Sequence, residues 1–182
     1  LYFNRLDSLN AAVMGPNGGQ YIEVPTGLFF NTSSQTFGAT NTAYPVVYNA
    51  TYLSNAVALQ AGSTSKIEVT VGGIYNFQYT GQLLSSSSSA KTMFLWIKRN
   101  GTDIGYSTRA ETVTTNNGYT GITYSFDIDL DVGEYVELVA AVDDTNLSLH
   151  ANAATSPHPG IPSSVMSVNF IAPLPSPRPT PP

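Results

Sequence analysis

Strict alternation of apolar and polar residues marks the centre of the chain. In the stretch IYNFQYTGQLL (74–84), Tyr75, Phe77 and Tyr79 share one face of an extended strand, and polar residues occupy the other face. Shorter alternating runs, separated by Gly, Asn, Ser and Pro clusters, predict further strands joined by turns. Single strands are predicted within residues 26–32, 44–49, 56–60, 65–71, 108–115, 147–153 and 164–173. Residues 94–104 and 124–142 are each predicted to form a hairpin.

The hairpin FLWIKRNGTDI (94–104) combines a clear turn with an unusual strand. Asn100-Gly101 suits a two-residue turn, in which both central residues take a positive φ. In the strand before it, the face that carries Phe94 and Trp96 is as apolar as the opposite face. Such a strand needs a second cover besides the core of its own sandwich. We expect a neighbouring subunit to supply that cover, with a loop of the same chain as the alternative.

The number and spacing of the strands predict an all-β sandwich or jelly roll. We count eight to ten short strands with frequent turn signals and no interior segment with helical spacing. Residues 24–172 are assigned to this domain. The serine run 85–89 is expected to be a flexible, exposed loop.

Both ends of the chain differ from the domain between them. Leu6, Leu9 and Val13 recur at helical spacing before a Gly/Pro-rich break, so residues 1–23 are read as an N-terminal arm, or alternatively as a short neck helix. Pro occupies six of the ten positions from 173 to 182, which predicts an extended polyproline-type C-terminal arm.

Composition narrows the classes of partner. The net charge is −5 and the seven Lys and Arg residues are scattered, so no basic face for nucleic acid is expected. No stretch approaches the roughly twenty apolar residues that cross a bilayer, and membrane insertion is not predicted. The chain has no cysteine, so packing or assembly must supply stability.

Catalytic patterns are sparse. His158 lies between prolines in SPHPGIP and is read as a turn residue, and His150 is read as a rim or interface residue. The sequence contains no Gly-x-Ser-x-Gly elbow, His-Glu-x-x-His motif or phosphate-binding glycine loop. We therefore expect a protein that is not an enzyme.

A row of three carboxylates suggests a cation site as an alternative to a solvated acidic face. Asp127, Asp129 and Asp131 follow the Asp-x-Asp-x-Asp pattern of a calcium loop. They alternate with apolar residues, however, as in a strand, and Val132 stands where such a loop needs Gly. A solvated face opposite Lys or Arg of a neighbouring strand is the main expectation, calcium is the alternative, and no other cofactor is predicted.

Aromatic and Asn-rich turns suggest a ligand-binding loop. Tyr106, Asn117 and Tyr119 lie in or beside predicted loops, where a tyrosine ring and an amide suit a sugar. A glycan on a host surface is the ligand that we consider for these three residues.

The order of several motifs resembles one known family. GGIYNFQYTGQL (72–83), FLWIKRNG (94–101), YSFDIDLDVGEYVEL (124–138) and SVNFIAPL (167–174) resemble successive strands of the complement one-q / tumour-necrosis-factor-like jelly roll. Together with NTAYPVVYN (41–49) and HPGIP (158–162), the run looks most similar to the version in virion surface proteins of bacteriophages, including cyanophages.

This resemblance implies a homotrimer with strand faces packed about a threefold axis. The expected function is structural: a knob of a fibre or tail appendage, or a capsid decoration, located on the virion surface. A contribution to host attachment is part of this expectation. The terminal arms would bind other capsid or tail proteins. A glycan-binding adhesin unrelated to a virion and a cytokine-like trimeric ligand are the alternatives. The residues assigned to the trimer interface are Tyr75, Phe77, Tyr79, Phe94, Trp96 and Phe170.

Overall fold

A computed structural model describes residues 24–114 and 117–175. The predicted N-terminal arm, and the C-terminal arm beyond residue 175, lie outside the described residues. Within them the chain forms fourteen strands and no helix. The strands are β1 (Thr26–Asn31), β2 (Gln35–Thr36), β3 (Tyr44–Pro45), β4 (Ala50–Asn55), β5 (Val57–Leu59), β6 (Ile67–Val69), β7 (Gly73–Ser85), β8 (Lys91–Arg99), β9 (Thr102–Asp103), β10 (Arg109–Val113), β11 (Gly118–Leu130), β12 (Tyr135–Val142), β13 (Leu147–Leu149) and β14 (Ser164–Ala172).

The strands form two antiparallel sheets of seven strands each. The first, called here the β7 sheet, has the order β2-β13-β7-β14-β1-β4. β13 and β14 pair with successive parts of β7, and β11 pairs along its other side. The second, the β8 sheet, has the order β10-β8-β12-β6-β5, with β3 on β12 and β9 on β8. The predicted all-β sandwich is thus confirmed.

The two sheets bury one shared apolar core. In β7 every second residue from Tyr75 to Leu83 is buried in this core, and Met93, Leu95 and Ile97 of β8 face it from the other sheet. Period-2 alternation therefore predicts these strands well. It does not predict β4, because ATYLSN lacks alternation and four of its six residues are exposed.

Two turns adopt the predicted backbone. Asn100 and Gly101 have φ values of 50° and 82°, as a two-residue hairpin between β8 and β9 requires. Gly133, between β11 and β12, has a φ of 83°. The serine run differs from the prediction at its first residue, since β7 continues to Ser85, which is fully buried.

The sandwich has two distinct ends. The end called here the arm end contains the start of β1, the end of β14 and the turn 131–134. The opposite end, the loop end, contains the end of β7 and the start of β11, which pair at Ser85 and Gly118. Among the described residues no helix is long and apolar enough to cross a membrane.

Candidate functional site

The sandwich is open along one side. β11 is an edge strand of the β7 sheet, β10 is an edge strand of the β8 sheet, and the loop 104–108 runs beside them. Between β11, the loop 104–108 and the end of β8 lies a cleft of about 690 Å³, called here the lateral cleft. Its lining includes Ile97, Arg99, Ile104, Tyr106, Tyr124 and Phe126.

Two half-buried aromatic side chains of β11 form the wall of the lateral cleft. The ring of Phe126 stacks on the buried ring of Phe77, with centroids 5.0 Å apart and planes 6° from parallel. Tyr124 lies 5.4 Å from Phe126 and donates its hydroxyl hydrogen bond to the backbone oxygen of Ser107. Partial burial raises the pKa of Tyr124, although the Ser107 bond opposes this change. The phenol therefore stays protonated and ties β11 to the loop 104–108.

An ion-pair network closes the cleft at the arm end. Arg99 Nε donates to Glu134 Oε1 at 3.2 Å, and a second guanidinium nitrogen contacts Glu134 Oε2. Asn100 also donates to Glu134 Oε1, at 2.7 Å, and the backbone N–H of Asp131 donates to Oε2 at 2.8 Å. Burial opposes ionisation of Glu134, but these donors together hold its pKa below the usual range. The network joins the β8–β9 turn to the β11–β12 turn.

The three predicted metal-ligating aspartates do not converge. Asp127 accepts a hydrogen bond from Asn76 Nδ2 at 2.6 Å, Asp129 lies 3.6 Å from Arg99 Nη1, and Asp131 follows β11 in the turn. Because β11 stays extended to Leu130, alternate side chains are roughly 7 Å apart. No group of three or more acidic or histidine side chains among residues 24–114 and 117–175 could hold a metal ion. The calcium interpretation of this row is therefore wrong for the described part of the chain.

The assignment of the β7 aromatics to a subunit interface is also wrong. Tyr75, Phe77 and Tyr79 are at most 1% exposed, because they point into the core of their own chain. Phe170 of β14 is half-buried and packs edge-on against Tyr75, with centroids 5.4 Å apart. Alternation separates the two faces of a strand, but it does not say which face meets the second sheet.

Phe94 and Trp96 lie on the outer face of the β8 sheet, where their own chain covers most of their surface. Both are half-buried, and the indole Nε1 of Trp96 donates to Asp103 Oδ1 at 2.7 Å. Asn41 and the loop 104–108 border the same depression. The expected second cover of this strand is thus supplied largely by the same chain, so these two side chains do not require a sister subunit.

The predicted ligand-binding residues fall into two places. Tyr106 is fully exposed beside the lateral cleft and has a φ of 61°. Asn117 and Tyr119 lie at the loop end, and Tyr119 is five strand positions, or roughly 17 Å, from Tyr124 of the lateral cleft. The three residues therefore do not form one site.

The two histidines occupy structural positions. His150 Nδ1 lies 3.4 Å from Ser34 Oγ, and its ring packs edge-on against Tyr119, 5.7 Å away. Ser34 Oγ also accepts the backbone N–H of Ala151 at 3.0 Å. His158 lies in an exposed turn after the Ser156-Pro157 cis peptide bond.

Sequence reasoning missed the lateral cleft. Tyr124 and Phe126 continue the same alternation as the core residues, so nothing local distinguishes them from a fully buried pair. What exposes them is the position of β11 at the edge of its sheet, which depends on long-range strand pairing.

Comparison with solved structures identifies the fold class. The globular domain of zebrafish complement 1qA protein matches with a TM-score of 0.53 at 13% sequence identity. The match covers 82% of this chain and 98% of that domain. At this identity the likeness shows the fold alone: an all-β jelly roll of the complement one-q / tumour-necrosis-factor-like type. No protein-family model matches the chain, and no curated protein sequence matches it.

Proposed function

We propose that this protein is a structural, non-enzymatic homotrimer on a phage virion. It is the knob of a fibre or tail appendage, or a capsid decoration, and it contributes to host attachment. The observation that carries the trimeric part is the open side of the sandwich. There, β11 offers an edge of 13 residues that pairs with no other strand of the described chain, and Tyr124 and Phe126 remain half-buried beside it.

A long edge strand next to an apolar cleft is a surface that proteins normally cover. The uncharged polar side chains along the outer face of β7 and β14, including Gln78 and Ser167, offer a surface without like-charge repulsion. A contact between the β11 edge of one subunit and the outer face of β7 and β14 of the next is heterologous. It closes into a trimeric ring when successive subunits are related by a third of a turn. A stable contact buries about 800 Å² on each partner.

The positions of the two ends of the described domain support a mounted module. The backbone N–H of Phe170 donates to the oxygen of Pro25 at 3.1 Å, so the beginning and the end of the domain leave the arm end side by side. Val24, Val132 and Ile171 are 52%, 68% and 51% exposed near that point. Arms that leave together can attach the domain to other virion proteins, and the loop end then faces outward.

The virion part of the proposal rests on the motifs that resemble phage surface proteins and on the jelly-roll fold. A cytokine-like trimeric ligand is compatible with the same fold, as is an adhesin unrelated to a virion. Gold-labelled antibody against the chain, applied to intact particles from its source, separates these functions. Regular labelling of particles is expected, and labelling of soluble material alone would exclude a virion component.

Light scattering on the purified full chain tests the trimer. The expected mass is three times 19.4 kDa, and a monomer at micromolar concentration would refute the assembly. Ser125→Arg adds a bulky charge on β11, and the matched control Tyr52→Arg adds it on β4, the opposite edge of the same sheet. Both positions are exposed, so both variants should fold. Only Ser125→Arg should lower the trimer fraction; equal behaviour of the two variants would argue against this edge.

A further inference from the structure

Two cavities share one wall on the outer face of the β7 sheet, near the loop end. One, of about 350 Å³, lies between β1 and the chain before β14; the other, of about 370 Å³, lies between β14 and β11. Ile161, Pro162 and Val165 line both cavities. Each volume falls within the range of about 300–1,000 Å³ that is usual for ligand pockets.

Glycine and packing shape the second cavity. Gly121 pairs with Gln82 in the register of β11 and β7, and a Cβ at position 121 would meet nothing within 4 Å. The missing side chain leaves a depression over the sheet. Tyr119, 55% exposed, stands at one side of it, and Ile161 and Pro162 stand at the other. The result is a concave site with an aromatic side chain at its rim.

The polar groups of the two cavities are uncharged. Among the described residues, neither lining includes Asp, Glu, Lys, Arg or His. Gln82 is held in place, because its Nε2 donates to His150 O at 3.1 Å while His150 N donates to Gln82 O at 2.7 Å. Asn152 has its backbone paired with Ile161 in both directions, at 2.9 Å each, which fixes the position from which its carboxamide extends.

This combination fits a particular ligand chemistry. A pyranose ring has an apolar face of C–H groups that packs on an aromatic ring, and hydroxyl groups that pair with amides and hydroxyls. Tyr119 supplies the ring, whereas Asn152, Thr80 and Thr32 supply neutral hydrogen-bonding groups around apolar walls. A phosphorylated or carboxylated ligand would find no cationic partner in either lining.

We propose that these cavities together form a binding site for a neutral saccharide of several units, which crosses the shared wall at Ile161 and Val165. This inference rests on the proposed role in host attachment, and it specifies a neutral saccharide as the group on the host surface that the protein binds. The site is near the loop end, away from the end where the arms leave. It differs from the predicted ligand loop, since it uses Tyr119 but neither Tyr106 nor Asn117.

The test uses the full-length chain on an array of neutral and acidic oligosaccharides, followed by calorimetric titration of the best neutral one. Tyr119→Ala and Asn152→Ala should each weaken binding at least about tenfold, which corresponds to about 1.4 kcal/mol. Tyr52→Ala is the matched control, because it removes an exposed tyrosine of β4 that lines neither cavity nor the lateral cleft, and it should leave the affinity unchanged.

The mass of each variant is measured on the same samples. An unchanged trimer that binds no neutral saccharide, or binds with undiminished affinity after Tyr119→Ala and Asn152→Ala, overturns the saccharide site and leaves the proposed function intact. Preference for acidic sugars also overturns it. Loss of the trimer in Tyr119→Ala would show that the groove serves subunit contact instead. A monomeric wild-type chain that still binds the neutral saccharide would refute the proposed trimer and support the saccharide site.

Discussion

The rings of Phe77 and Phe126 lie parallel across neighbouring strands of the β7 sheet, with centroids 5.0 Å apart. Phe77 is fully buried, whereas Phe126 is half-buried at the lateral cleft. The stack therefore connects the core of the subunit directly to its open edge.

Truncation of the two rings should have unequal effects. Phe77→Ala leaves a cavity in the core and should lower the free energy of unfolding by about 3–5 kcal/mol. Phe126→Ala should cost about 1–2 kcal/mol, since less apolar surface returns to water. If the chain forms the proposed trimer, the wild-type midpoint in urea titrations should rise with protein concentration. Phe126→Ala should weaken that concentration dependence; an undiminished dependence would place the subunit contact elsewhere.

Removal of two buried tyrosine hydroxyls should change stability in opposite directions. Tyr48 is 1% exposed and its hydroxyl has no hydrogen-bond partner within the described residues, whereas the Tyr79 hydroxyl lies 3.0 Å from Ser164 Oγ. Burial raises the pKa of Tyr48 well above its usual value, so the group stays neutral but unsatisfied. Tyr48→Phe should raise the free energy of unfolding by about 1 kcal/mol, and Tyr79→Phe should lower it by about 1 kcal/mol.

Urea denaturation of both variants checks this pair. A loss of stability in Tyr48→Phe would show that its hydroxyl is satisfied, for instance by a buried water. Tyr79→Phe is the matched control, because both substitutions remove one oxygen from a buried ring.

Glu134 should make stability depend on pH in the acidic range. Its folded-state pKa lies below the unfolded value of about 4.5, so its contribution is complete above that pH and disappears as pH falls through the folded value. The free energy of unfolding should therefore decrease as the pH falls below about 4.5. Glu134→Gln should flatten this slope and cost about 1 kcal/mol at pH 7.

A suitable control for Glu134 is Glu111→Gln. Glu111 lies 3.9 Å from Arg109, and the arginine side chain is half exposed, so this pair should contribute little. Equal changes of slope in the two variants would mean that the Arg99–Glu134 network does not account for the loss of stability at acidic pH.

Fluorescence of Trp96, the single tryptophan, tests which chain covers the outer face of the β8 sheet. Asp103 and the loop 104–108 cover the indole. Acrylamide quenching should therefore stay the same when the protein is diluted far enough to dissociate the proposed trimer. Asp103→Ala should increase quenching, whereas Asp103→Asn keeps the accepting oxygen and should resemble the wild type. Increased quenching on dilution of the wild type would assign the cover to a sister subunit.

The sequence by itself determined the fold class, most of the strands and two of the turns. Alternation in β7 and β8 and the turn residues Asn100, Gly101 and Gly133 act through neighbours in the chain, so short windows contain the information. β4 was missed because its residues do not alternate clearly between apolar and polar. Its pairing with β1, which is distant in the chain, supplies the strand geometry.

Only the tertiary structure decided which faces are buried and where sites form. Alternation places Tyr75 and Asn76 on opposite faces, but the second sheet determines which of these faces is packed. The cover of Trp96 depends instead on the position of Asp103 and the loop 104–108. The lateral cleft arises because β11 ends the sheet, and the cavity between β14 and β11 brings Ile161 beside residues of β7 and β11. These contacts join residues far apart in the chain, and their geometry is set by strand order and register, which local patterns do not encode.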